Sequence, residues 1–458
     1  MKIAINSHRL IVWLVTVLTL LPALLADIPE WTMLVFTQAN NNLSSFAMKN
    51  FSDMASIGSN KNFNALVQWY QPNIKGVWRY KIEAGKMVLD QCLQVDSDGT
   101  TSADLIDSMR WAVTNYPANK YSLVLWNHGI GIVDPAWGKM RPWEIHQPRI
   151  GFAQEVIRDN PRIQLAGLTV DEAVTEGLDA TSTSTCSLMD FVTTSTRGIL
   201  FNEQTRTYMD NQTLHFALSE IKTSVLNNRK LDLLGMDACL MAMLEVGYLA
   251  KDVANVLVAS QEVELAQGWN YQALVNALNV KNNSAANIAR SIVSSYEKMY
   301  TNRIPFFTQS AIDLSGMEPI RESLDAMIAA FRACRNTDKS TMMDVLRKAR
   351  QTCQRFSSPN YVDLHSLLTE LQKSMDTVSN ATAVTQTTAY TQLRTALAAS
   401  KALIETYVFA NATGPNMTRA KGLSIYFPFS KIDQSYPKTT FAQDSLWHGF
   451  LQEFTTGA

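Results

Sequence analysis

Short apolar runs recur along this chain, each bounded by polar residues, and they constrain its fold more than any other feature. They are residues 31–37 (WTMLVFT), 63–70 (FNALVQWY), 121–127 (YSLVLWN) and 231–235 (LDLLG). Each has the length and composition of a buried strand. Between them lie segments of helical character, 46–58 (FAMKNFSDMASIG) and Ala103 to Asn115. Strands alternating with helices predict an α/β fold, a parallel sheet with helices on both faces. In such sheets chemistry gathers in the loops beyond the carboxyl ends of the strands.

Two of those ends carry reactive side chains. His128 follows "LVLWN", and Cys239 follows "LDLLGMDA". The apolar stretch 231–246 reads as a strand to Gly235, then a helix from Leu240 to Ala250 with Asp237 as its N-cap. Cys239 would then sit at the positive end of the helix dipole, which lowers a thiol pKa toward the nucleophilic thiolate. An imidazole from His128 would do the same if the two strands are neighbours. Gly129 lets the backbone approach a substrate carbonyl, as an oxyanion donor must. The plainer reading is that a lone cysteine and a lone histidine are structural. His146, His215, His365 and His448 lack comparable strand-end settings.

With 458 residues the chain is long for one ordinary domain, and its apolar content of 46% supports a sizeable core. A net charge of −1 gives no broad basic surface for nucleic acid. Lys2, His8 and Arg9 precede a mostly apolar run from Leu10 to Leu25, closed by Ala26. That pattern predicts a signal peptide over 1–26 and export, since a membrane span needs about 20 apolar residues. Five cysteines (Cys92, Cys186, Cys239, Cys334 and Cys353) leave at least one thiol unpaired within the chain. No C-x-x-C occurs, so no structural zinc is assigned.

A catalytic domain is expected over 27–300, interrupted near 135–196 by a polar, Ser/Thr-rich insertion. Beyond it, 301–458 reads as a mainly helical lobe, with a β-rich run at 422–429 (GLSIYFPF) returning to the sheet of the core.

The blocks at 121–131 (YSLVLWNHGIG) and 231–271, which contains D-A-C-L-M and S-Q-E…G-W-x-Y, resemble the clostripain family of cysteine peptidases. That family belongs to the clan of caspases, legumain and gingipains. Residues 31–43, 197–218, 310–318, 361–371 and 422–428 resemble further family landmarks in the same order, so the likeness spans nearly the whole mature chain. The resemblance implies a caspase-like sandwich with a helical C-terminal lobe. It implies His128 as general acid/base, Cys239 as nucleophile, and the N–H groups of Gly129 and Cys239 as the oxyanion hole. It further implies cleavage after Arg or Lys, with Asp237 in the basic S1 pocket. A carboxylate pairs well with a guanidinium there, although Asp237 as a helix cap alone is the plainer role. Glu262 and Glu264 either add charge to that pocket or face solvent. Where relatives carry Pro-Gly before Gly-Trp, this chain has "ELAQGW".

His128 and Cys239 stand 111 positions apart, a long interval for the family. Some relatives mature by cutting themselves in this interval after a basic residue. Arg197 is the candidate here, with Lys139, Arg141 and Arg149 as others; a plain surface insertion is the alternative. No cofactor is required. Calcium assists some relatives, and Asp96, Asp98 and Asp210 are acidic residues in loops, but no EF-hand spacing occurs and no metal site is assigned. The rival classes are a silent peptidase homologue that binds peptides or a surface, another thiol enzyme such as an acyltransferase, and a structural exported protein.

Overall fold

The computed structural model describes residues 28–134, 198–378, 384–385 and 387–457. The expected signal peptide, the 135–196 insertion, Arg197 and Cys186 lie outside the described residues.

β1 (Trp31–Gln38) is buried along its whole length. Successive side chains of a strand point to opposite faces. Leu34 and Phe36 enter one apolar core, while Trp31, Met33 and Val35 enter a second. A strand covered on both faces needs no polar alternation, which is why these runs are continuously apolar.

From β1 the chain continues through α1 (Ser44–Ala55), β2 (Phe63–Gln71), β3 (Ile74–Glu83), β4 (Lys86–Leu93), α2 (Ser102–Asn115) and β5 (Lys120–Trp126). After the insertion come β6 (Ile199–Asn202), β7 (Thr207–Met209), α3 (Asn211–Glu220), β8 (Leu231–Asp237), α4 (Leu244–Ala250) and β9 (Ala254–Ala259). Next are α5 (Tyr271–Asn279), α6 (Ala285–Tyr300), β10 (Thr308–Asp313), α7 (Met317–Thr337), α8 (Lys339–Thr352) and β11 (Tyr361–Asp363). The chain closes with α9 (Leu364–Asp376), α10 (Thr388–Tyr407), β12 (Val408–Thr413), β13 (Ser424–Tyr426), α11 (Thr440–Asp444) and α12 (Trp447–Thr456).

Nine strands form one sheet in the order β12-β10-β9-β8-β5-β1-β2-β3-β4. The five from β9 to β2 run parallel, and antiparallel strands extend both edges. One face is covered by α1, α5 and α6 through Phe51, Leu274 and Ile292. The other is covered by α2, α3 and the C-terminal helices through Leu105, Leu214 and Leu324. Each such buried side chain contributes roughly 1.5–3 kcal/mol. The α/β sandwich expected from the strand–helix alternation is the fold.

Two local expectations are corrected. β8 continues to Asp237, and the helix after it begins at Leu244, not Leu240. Leu240 adopts φ +64°, a left-handed conformation that a helix excludes. Its N–H donates to the Glu262 carbonyl (3.2 Å) and that of Ala242 to Ser260 (2.8 Å), so this backbone is committed to the loop after β9. Cys239 therefore sits on a turn and gains nothing from a helix dipole.

The β-rich run near 422–429 does not join the large sheet. Ser424–Tyr426 pairs with β11, and Ser424 forms a bridge to Met243. The Ser424 N–H and hydroxyl both donate to the Ala242 carbonyl (2.9 and 3.0 Å), tying the strand to the turn after Cys239. The C-terminal strand that does reach the sheet edge is β12.

Candidate active site

β5 and β8 are neighbouring parallel strands, with Trp126 opposite Asp237. His128 and Cys239 each follow that pair by two residues, so they leave the same sheet end side by side. The Asn127 N–H continues the ladder onto the Asp237 carbonyl (3.3 Å). A Cβ on Gly129 would lie 2.5 Å from the Cys239 carbonyl oxygen, a backbone clash that only glycine avoids. The Gly129 N–H donates to the Cys239 sulfur. His128, Gly129 and Cys239, singled out in the sequence, thus come together.

Asn127 is the splint of this loop. Its Nδ2 donates to the carbonyls of Phe201 (2.9 Å) and Gln38, and its Oδ1 accepts the His128 N–H. The His128 ring meets a residue that sequence reasoning missed, since Nε2 lies 2.9 Å from Asn42 Oδ1. An amide oxygen only accepts, so Nε2 is the donor in this contact. Asn42 sits in the polar run directly after β1, and its place beyond a strand end was the available signal.

Cys239 is partly buried. Its sulfur accepts the Glu264 N–H at 3.2 Å and lies 3.8 Å from the Glu264 carbonyl. Burial pushes the thiol up to about 11; the N–H groups of Glu264 and Gly129 offset part of this, and Glu262 and Asp237 add to it. A thiol raised in this way is protonated at neutral pH, and a nucleophilic role would require a base to take its proton.

Strand alternation places Asp237 on the Leu233 face, against α5 and α6, rather than at a helix start. It is buried, and it accepts hydrogen bonds from the Tyr271 hydroxyl (2.9 Å) and the Trp269 N–H (3.3 Å). Gly268, at φ +64°, passes so close that a Cβ would fall 2.6 Å from the carboxylate. Glu264 accepts from the Trp269 indole N–H (3.4 Å), and its carboxyl also hydrogen-bonds Asp237. Glu262 is buried as well. Its carboxylate accepts the Ser357 N–H (3.0 and 3.1 Å) and the Val263 N–H (2.7 Å). Neither glutamate is a freely solvated surface group, and burial raises the carboxyl pKa of Asp237, Glu262 and Glu264.

Away from this cluster, Asp98 accepts the hydroxyls of Thr100 and Thr207, Asp210 caps α3, and Asp96 is exposed. Among the described residues no group of three or more His, Cys, Asp or Glu side chains is arranged to hold a metal ion. Cys92, Cys239, Cys334 and Cys353 are free thiols. No helix of the described residues is long and apolar enough to cross a membrane.

The sequence profile of the clostripain family matches residues 35–143 and 188–454. No curated protein matches the chain. Among solved structures, an inactive zymogen C11 protease from Parabacteroides distasonis is similar at 16% identity, covering 91% of this chain and 98% of that one, with a TM-score of 0.57. A secreted C11 cysteine protease from Bacteroides thetaiotaomicron, in complex with an irreversible peptide inhibitor, is similar at 18% identity over 93% and 99%, with a TM-score of 0.57. Another structure of a secreted C11 cysteine protease from that organism, called iotapain, is similar at 16% identity over 91% and 99%, with a TM-score of 0.58. At these identities the structural likeness is one of fold. The family profile spans most of the chain, including both strand ends of the site, and the chain belongs to the clostripain family of cysteine peptidases.

Proposed function

We propose that this peptidase is an exported endopeptidase that cleaves after Arg or Lys by a Cys239–His128 dyad. The observation that carries the reading is the β5–β8 register, which brings the Gly129 N–H onto the Cys239 sulfur. His128 Nδ1 takes the thiol proton as the sulfur attacks the peptide carbonyl, and returns it to the leaving amine. The N–H groups of Gly129 and Cys239 stabilise the oxyanion. Asp237, on the α5/α6 side of the site, receives the basic side chain before the scissile bond. A carboxylate in such a buried setting gives strong charge-assisted hydrogen bonds to a guanidinium.

The N-terminal charged-then-apolar pattern directs export. The chain matures by cutting itself after Arg197, in the interval between His128 and Cys239, and calcium acts at most as an activator. A peptide panel with Arg, Lys, Asp or Asn before the scissile bond tests the specificity. Release only after Arg or Lys, lost in Cys239→Ala, is expected; release after Asp or Asn overturns it, and no release from any peptide favours the silent homologue. Incubating wild type beside Cys239→Ala tests maturation, and equal fragmentation of the two rejects self-cleavage.

A further inference from the structure

The buried group of side chains beside the Cys239 sulfur contains more acid than one carboxylate. Asp237 comes from the end of β8, Glu264 from the loop after β9, Tyr271 from α5, and Tyr296 and Tyr300 from α6. Cys239 borders the group from its turn, and Glu262 acts on that thiol. Arg303, just past α6, is a cation felt by Tyr300. Among the described residues, no lysine or arginine pairs with either carboxyl.

Two carboxyl groups that hydrogen-bond each other must hold a proton between them, because an ionised carboxylate only accepts. Like charges at such range in a buried site do not both ionise without a cation. Among the described residues the buried Tyr296 hydroxyl, which feels the charge of Glu264, has no hydrogen-bond partner. Once ionised, the two carboxyl groups are acceptors only, with no protein cation between them among the described residues. That arrangement suits a planar group with several N–H donors and a positive charge.

We propose that Glu264 is the second carboxylate of the P1 pocket, and that an entering guanidinium displaces the proton Glu264 shares with Asp237. This rests on the reading of Asp237 as the acceptor of a basic side chain. Without substrate one proton bridges two carboxyl oxygens, leaving a single negative charge. When the guanidinium enters, that O–H bond breaks and the proton passes to bulk water. Each carboxylate then takes its own N–H donors, and the pocket keeps a net charge of −1 before and after, counting the ligand. Glu264 is placed to couple this event to catalysis, since its own backbone N–H contacts the nucleophile at 3.2 Å.

The test uses the full chain carrying Cys239→Ala and a peptide ending in arginine. Calorimetry in two buffers of different ionisation enthalpy counts the protons released on binding. About one proton is expected at pH 5–6, with affinity rising up to tenfold per pH unit over that range. Adding Glu264→Gln is expected to abolish the release, flatten the pH dependence and weaken binding roughly tenfold. Binding with no proton release in the Cys239→Ala chain overturns the shared proton while leaving the basic P1 reading intact. An unchanged proton count in the Glu264→Gln protein also overturns it. No binding of the arginine peptide, with binding of an Asp or Asn peptide, overturns both readings. The proton count in the Cys239→Ala chain decides the matter even if the glutamine variant fails to fold.

Discussion

Asn42 and His128, 86 residues apart in sequence, meet at 2.9 Å between amide oxygen and ring nitrogen. The contact makes Nε2 the donor. Removing it takes a hydrogen-bond acceptor away from the ring. Asn42→Ala is expected to lower kcat about 5- to 30-fold, the value of one hydrogen bond of roughly 1–2 kcal/mol, with KM little changed. Asn42→Asp places a carboxylate on the imidazole and moves the acid limb of the kcat/KM profile to higher pH. Steady-state kinetics across pH 5–9 checks both, and an unchanged profile in the Asp variant removes Asn42 from the mechanism.

Gly129→Ala drives a Cβ to 2.5 Å from the Cys239 carbonyl and 3.1 Å from the Ala238 Cβ. The obstacle is backbone, so the strand ends themselves must part. A stability loss of about 1–3 kcal/mol is expected from the overpacking. Displacement of the Gly129 N–H, the proposed oxyanion donor, is expected to add a fall in kcat of about 10²–10³-fold. Denaturant melts and kinetics on the same preparation separate the two effects.

Burial disfavours the charge of the Cys239 thiolate and pushes the thiol up to about 11. Iodoacetamide should therefore alkylate it slowly at pH 7 in the substrate-free protein, with a rate still climbing above pH 9. A rate that levels off by pH 8 contradicts this. The folded pKa lies above the ordinary thiol value of 9.0. The stability that a neutral thiol contributes is thus present below about pH 9 and lost as pH rises through about 11.

Glu245 gives a stability dependence nearer neutrality. Its buried carboxyl accepts the Tyr426 N–H (2.9 Å) and the Tyr436 hydroxyl (3.1 Å), and burial pushes it up to about 7. With the folded value above the ordinary 4.5, its contribution is complete below pH 4.5 and is lost as pH rises through about 7. Glu245→Gln retains an acceptor without a charge. The variant should gain on wild type by roughly 2–3 kcal/mol between pH 5 and pH 8. Urea melts at the two pH values measure it.

The strand ends were legible because continuous apolar runs flanked by polar residues leave few other structures open. His128 and Cys239 could be placed on them, and their adjacency follows from β5 pairing β8. The helix at Leu240 was misread because Leu, Met and Ala there have high helix propensity. Long-range hydrogen bonds to Ser260 and Glu262, which no local window contains, commit that backbone elsewhere. Asn42 and Glu264 were hard to assign for the same reason. Asn42 lies far from His128 in sequence, and the environment of Glu264 depends on how the loop after β9 turns back toward Asp237.

The nine-stranded sheet divides at the β5–β8 pair into a block from before the insertion and a block from after it, with a consequence for any cut made between His128 and Cys239. β5, which carries the histidine, belongs to the segment before the insertion, and β8, which carries the cysteine, to the segment after it. Their pairing lies inside the sheet. Severing the chain between them would yield two polypeptides that copurify as one particle and part company only in denaturant, since pulling either away would split the sheet through its middle.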